Sequence, residues 1–215
     1  MKKLIPADRC RVEIEILKSR FIATVAPAFS VDEAKAFIQT VRAEFSDASH
    51  NVPAFIVGHG ASVTKHCSDD GEPSGTAGRP MLAVLQGSGL GDIVLVVTRY
   101  FGGTKLGTGG LVRAYGDSVR AVLEALVLAE KVETHTVMLA VPYSHLERTR
   151  LLVAEHHGRI DEEIFAADIT LVVQFRVTHY PLFAAALDEM SHGSLAAEII
   201  ETDPQTIMSL TSEEE

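Results

Sequence analysis

Residues 93–115, IVLVVTRYFGGTKLGTGGLVRAY, decide how the first half of this chain is read. Ile93-Val94-Leu95-Val96-Val97 is a continuous, largely β-branched apolar run of the kind found in a strand covered on both faces. It leads directly into a glycine loop. Beyond Gly110 the apolar residues Leu111, Val112, Tyr115, Val119, Val122, Leu123 and Leu126 recur at three- and four-residue intervals, which predicts a helix over 110–129. A strand–glycine loop–helix order exposes backbone N–H groups at a helix N-terminus, where the helix dipole favours an anion such as phosphate. Lys105 in the loop, Arg99 before it and Arg113 one turn into the helix add positive charge. The glycine spacing is neither that of a GxxxxGK[ST] phosphate loop nor that of a GxGxxG dinucleotide turn.

Working outward, a second glycine segment stands upstream, SDDGEPSGTAGRP at 68–80, and fourteen of the sixteen glycines lie between Gly58 and Gly116. The unusual backbone geometry is concentrated in this stretch. Gly71, Gly75, Gly78, Gly102, Gly103, Gly107, Gly109 and Gly110 either form tight turns that let the helix pack on its sheet, or bring backbone close to a ligand. Asp69, Asp70 and Glu72 admit two roles. They hold a divalent cation together with His50 or His66, or Asp69 and Asp70 pin the turn while Glu72 pairs with Arg79 or Arg99. The second is preferred, because no metal motif has its expected spacing, and no metal or cofactor is expected. No catalytic residue is assigned: Cys67 beside His66, and Ser62 and Ser74, lack the surroundings of an activated nucleophile.

Charge is divided unevenly. Residues 1–130 carry 14 Lys and Arg against 14 Asp and Glu, residues 131–215 carry 5 against 15, and the whole has net charge −10. Tight DNA binding depends on counterion release by many cationic contacts and is not expected of so acidic a chain. A local basic patch of Arg79, Arg99, Lys105, Arg113 and Arg120 in the first part still suits structured RNA or a protein partner. Two cysteines, Cys10 and Cys67, fit a reducing compartment rather than a disulfide scaffold. No apolar run reaches the length of a membrane span and the N-terminus lacks a signal-peptide pattern, so a cytoplasmic protein is expected.

The remaining periodicities predict an α+β chain of two domains, 1–133 and 134–215. In the first, strands are expected over 10–16, 20–26, 53–58 and 93–100. Helices are expected over 31–45, with Ser30 as N-cap and Glu33 completing a capping box, and over 79–86. The hydrophilic stretch Glu130-Lys131-Val132-Glu133-Thr134 reads as a linker. From residue 136 the pattern is strand (136–143), helix (144–157), strand (159–165), strand (168–177), helix (181–192) and strand (194–201). That βαββαβ order is ferredoxin-like. The Ser-Glu tail at 212–215 reads as frayed.

DDGEPSGTAGRP (69–80) and RYFGGTKLGTGGLVRAYG (99–116), with KSRFIA (18–23) and ASHN (48–51), resemble the YigZ/IMPACT family of translation-linked proteins. The resemblance covers most of the chain to about residue 130. It implies a first domain like domain 2 of ribosomal protein S5 and a ferredoxin-like second domain. Taken with the glycine loops and their cations, it supports a non-enzymatic, translation-associated protein whose partner is RNA, the ribosome or a translation factor, met by a cationic face that the loop and charge reading assigns to Arg79, Arg99, Lys105 and Arg113. Two alternatives stand beside that reading: an enzyme that holds a nucleotide or phosphorylated small molecule at the glycine loop, and a protein-interaction module without nucleic acid. Val52-Pro53-Ala54-Phe55 departs from the family's usual Cys and aromatic residues after the His-Asn pair.

Overall fold

The structure, a computed structural model, describes residues 2–60 and 62–209. These residues group into two compact units, one running to Glu130 and the other from Lys131 to Met208. In the first, β2 (Cys10–Ile16), β3 (Ser19–Pro27), β4 (His50–Val57), β5 (Thr64–Cys67) and β6 (Ile93–Tyr100) form an antiparallel sheet in the order β2-β3-β6-β4-β5. A short β1 (Leu4–Pro6) pairs with the first three residues of β7 (Leu128–Val141).

β6 lies at the centre and is buried on both faces, as its unbroken apolar run requires. Parity assigns its side chains. Ile93, Leu95 and Val97 join Phe21, Ala23, Val52 and Ala54 beneath α2 (Gly78–Gly87) and α3 (Gly107–Glu124). Val94 and Val96 face the other way, onto Ala34, Ile38 and Val41 of α1 (Val31–Glu44). α1 begins where expected: Ser30 Oγ accepts from the Glu33 N–H at 3.1 Å, while the Glu33 carboxylate reaches back to the Phe29 N–H at 2.9 Å.

The second unit contains β7 from Lys131 onward, α4 (Leu146–Glu155), β8 (Arg159–Phe165), β9 (Ile169–Arg176), α5 (Tyr180–Ser191) and β10 (Glu198–Ser209). Its strand order, β10-β7-β9-β8, is that of a ferredoxin-like fold. Strict alternation along β9 buries Ile169, Leu171, Val173 and Phe175, and the Phe175 ring stacks on Phe183 of α5 at 4.4 Å between centroids. Among the described residues no helix is long and apolar enough to cross a membrane.

Four local expectations need correction. α3 starts at Gly107 rather than 110 and ends at Glu124 rather than 129, because Leu128 and Ala129 pair with Pro6 and Ile5. The stretch 130–134 is not a linker but part of β7, where Glu130 pairs with Leu4 of β1 and Thr134 with Arg176 of β9, both polar residues being buried. β10 begins at Glu198, since Ser194 still completes the turn after α5 by bonding Ser191 O. β1 and β5 were not expected at all, being too short for a periodic signal. The tail at 212–215 lies outside the described residues.

Only some glycines of the loop are required by packing. A Cβ on Gly102 would lie 1.9 Å from the Lys18 carbonyl oxygen, whereas one on Gly109 would meet nothing within 4 Å. Gly102→Ala should therefore cost about 3 kcal/mol or more through overpacking against backbone. Gly109→Ala should be stabilising by about 0.5–1 kcal/mol through helix propensity. Urea unfolding of the two variants checks both, and similar effects would mean that this difference in backbone approach does not govern stability.

Candidate functional site

The parity that buries Ile93, Leu95 and Val97 carries Arg99 to the same face at the end of β6, beside Phe21 on β3 and His50 on β4. An arginine so placed must be neutralised. Its side chain is only 7% exposed, and Nη1 donates to Glu72 Oε1 at 2.6 Å. The same carboxylate oxygen accepts from Tyr115 Oη at 2.7 Å, and His50 Nε2 stands 3.9 Å from Glu72 Oε2. Burial, and the hydrogen bond it donates to Glu72, push the Tyr115 phenol well above its ordinary value. The Arg99 guanidinium lies over the rings of Phe21 and Phe101, at 5.4 and 5.7 Å from their centroids. Its Nε is buried without a hydrogen-bond partner.

Two further acids shape the loop that delivers Glu72. Asp69 accepts from the N–H groups of Gly75, Ala77 and Gly78 and so caps α2 from outside the helix, whose own N-cap, Ala77, has no side chain to do so. Burial works against the charged form of Asp69, but those N–H groups and the Arg79 charge outweigh it and hold the carboxyl below its usual range. Asp70 accepts from the Asn51 N–H at 2.7 Å and pairs with Arg42 of α1 at 2.5 Å. Close packing of this segment needs Gly78, where a Cβ would fall 2.5 Å from the Ser68 carbonyl oxygen. Gly71, Gly75, Gly103 and Gly107 take positive φ, and Gly109 and Gly110 sit in the first turn of α3.

Arg99 and Glu72 line a concavity of about 400 Å³. Phe101, Leu106 and Leu111 supply apolar surface, and Lys105 and Thr108 also line it, together with the start of α3. No side chain caps that helix and its first turn holds no acid, so its N–H groups and dipole favour an anion there. Lys105 is exposed and makes no ion pair among the described residues. The chemistry offered is recognition of an anion attached to an apolar or aromatic body.

Of the five cations singled out in the sequence, the pocket brings together Arg99 and Lys105. Arg113 is exposed on α3 but does not line it. Arg79 stands at the start of α2, where its charge acts on Asp69 and Cys67. Arg120 is engaged by Asp117 at 2.6 Å on the surface and lines a separate concavity with Val84 and Ser88. Sequence reasoning missed Tyr115 as a polar partner and had considered His50 only for metal. Tyr115 falls on the buried face of the α3 period, which marks its position but not its partner, whereas the register that sets His50 beside Arg99 has no local signal. Among the described residues no three His, Cys, Asp or Glu side chains are grouped to hold a metal ion.

Two outcomes follow from this geometry. Glu72→Ala leaves Arg99 buried and unpaired and should cost about 3–5 kcal/mol, whereas Tyr115→Phe leaves the pair intact and should cost about 1 kcal/mol. Chemical denaturation measures both, and equal losses would contradict a dominant ion pair. Asp69 has its folded pKa below its unfolded value of about 3.9, so its contribution is present above that pH and lost as pH falls through the folded value. Asp69→Asn should lose less stability than wild type on acidification from about pH 5 to pH 2, read as melting temperature across that range.

Residues 17–123 match the Impact N-terminal domain family, and residues 139–194 match a domain of unknown function, DUF1949. The chain is 43% identical over 199 residues to the IMPACT family member YigZ of Escherichia coli K12, covering 92% of this chain and 98% of that protein. It is 36% identical over 181 residues to the family member YvyE of Bacillus subtilis 168, covering 84% and 83%. A crystal structure of a hypothetical protein with 43% identity superposes at a TM-score of 0.61, over 93% of this chain and 98% of the other. With nearly the full length of such relatives spanned, this chain belongs to the IMPACT family.

Proposed function

We propose that this protein acts in translation as a binding protein, and that the pocket at the start of α3 receives a phosphate-bearing portion of RNA. One observation carries the reading: Arg99 lines a pocket shared with the exposed Lys105, the Phe101 ring and the uncapped start of an 18-residue helix. Phosphate suits the helix N-terminus and the lysine. A half-exposed Phe101 ring offers a base a surface on which to stack. Glu72 is engaged by Arg99 and Tyr115, so it contributes by holding the guanidinium in place rather than by repelling the anion. Membership of the family, with the translational role its resemblance implies, makes ribosomal or other structured RNA the preferred partner. Arg79, Arg113 and Arg120 then lie outside the central contact.

A second reading, a site for a free nucleotide or phosphorylated small molecule, is favoured by the concavity itself, whose volume falls in the range of small-ligand sites.

Co-sedimentation with ribosomes and binding to structured RNA, measured across a salt series, test the first reading. Lys105→Ala should weaken binding and flatten the salt slope by about one unit, with an unchanged melting temperature. Arg113→Ala should have the smaller effect. No wild-type binding at low salt, or identical slopes for wild type and Lys105→Ala, would overturn the assignment. ATP or GTP, with or without magnesium, should leave the melting temperature unchanged; a saturable shift lost in Lys105→Ala would establish the small-molecule reading instead.

A further inference from the structure

A second concavity, of about 430 Å³, lies between α1 and the sheet margin formed by β4 and β5. It belongs to the α1 side of the sheet, and the Arg99 pocket belongs to the α3 side, so nothing here rests on the function proposed above. β5 is the last strand in the sheet order. Thr64–Cys67 pairs with β4 along one edge, and no strand of the described residues covers the other. An uncovered edge carries backbone N–H and C=O groups ready to pair with another extended chain.

The charge around this edge has one sign. Lys35 and Arg42 from α1, and Lys65 and His66 from β5, line the groove, and no carboxylate does. Arg42 is compensated by Asp70 at 2.5 Å, but Lys35 and Lys65 are exposed and make no ion pair among the described residues. Phe55 and Ile38 give the groove an apolar floor, and the His66 ring rests against Phe55 at 5.3 Å between centroids. Lys65 pairs with Ile56, whose side chain lies in the core beneath α2 and α3, so parity sends the Lys65 side chain off the edge strand on that face, where it lines a second concavity. A lysine there hinders pairing with a neutral or basic strand, including a second copy of β5, because desolvating an unpaired ammonium is costly. An incoming strand that carries carboxylates removes that cost.

We propose that β5 and α1 form a docking groove for an acidic segment of a protein partner, bound in extended form as a sixth strand of the sheet. Main-chain bonds to β5 provide the registration, the alternate inward side chains cover Phe55 and Ile38, and Lys35 and Lys65 select for acid. Four residues of β5 span about 13 Å, so a contact of four to six partner residues is implied. The open backbone edge favours a peptide over single-stranded RNA, which has no use for it.

The probe is a fluorescent ten-residue peptide of alternating Val and Glu, titrated into the full chain. Three comparisons accompany it: the Val-Lys counterpart, the Val-Glu peptide N-methylated at alternate residues, and oligo(U) of twelve nucleotides. Saturable binding of the Val-Glu peptide is expected, with no binding of the Val-Lys peptide and at least a tenfold loss on N-methylation. The Lys35→Glu/Lys65→Glu double variant changes two exposed side chains and should melt like wild type, yet bind the peptide at least tenfold more weakly. Hydrogen exchange at residues 64–67 should slow on peptide addition, whereas a purely electrostatic surface contact would leave it unchanged. The proposal is overturned by absence of Val-Glu binding, by indifference to N-methylation or to charge reversal, or by oligo(U) binding that depends on Lys35 and Lys65 while the peptide fails.

Discussion

The buried pairing of Arg99 with Glu72 is the constraint on which the first unit is organised. It joins the end of the central strand β6 to the loop of residues 68–77, and Tyr115 brings α3 to the same carboxylate oxygen. A pair of this kind adds little net stability, because two desolvated charges roughly offset their attraction. What it provides is exclusivity. Any packing that moves the 68–77 loop away from β6 leaves a guanidinium or a carboxylate alone in an apolar surrounding, and that state is strongly disfavoured.

Around this pair the acids of the loop divide their work by what lies within reach. Asp69 turns inward to the N-terminus of α2, Asp70 turns outward to β4 and α1, and Glu72 goes beneath α3. Each carboxylate is neutralised by donors supplied from a different element. The loop that looks acidic in sequence therefore presents little uncompensated negative charge at the pocket, and Lys105 and the helix N-terminus set the local sign. Anion recognition and an acidic motif are compatible for that reason.

The Arg99 pocket and the groove between α1 and β5 lie on opposite faces of one sheet and share an arrangement: an apolar floor with exposed lysine nearby. Their backbone differs. At the α3 pocket the unsatisfied groups are helix N–H donors alone, which suits an oxyanion. At β5 they alternate between donors and acceptors, which suits another extended chain. The second unit, rich in carboxylates along its exposed strand β8, has the opposite character.

Elements whose residues interact within one or two turns were legible in the sequence. The apolar run of β6, the period of α3, the Ser30 cap of α1 and the βαββαβ order of the second unit all arise from local periodicity and capping, and local chemistry fixes them. Positions whose state depends on distant partners were not legible. Leu128 and Ala129 continue the apolar pattern of α3, yet pairing of β1 with 128–130 makes them strand. β5 is four mostly exposed residues that become a strand because β4 offers an edge. At the site, the sequence determined that a glycine-rich turn with cations precedes a helix. Tertiary structure alone decided that Glu72 would meet Arg99 and Tyr115, that Lys105 would share their pocket, and that Arg79 and Arg113 would not. The separation of these groups along the chain carries no distance information, and only closure of the sheet and burial of its charges fixes which of them must meet.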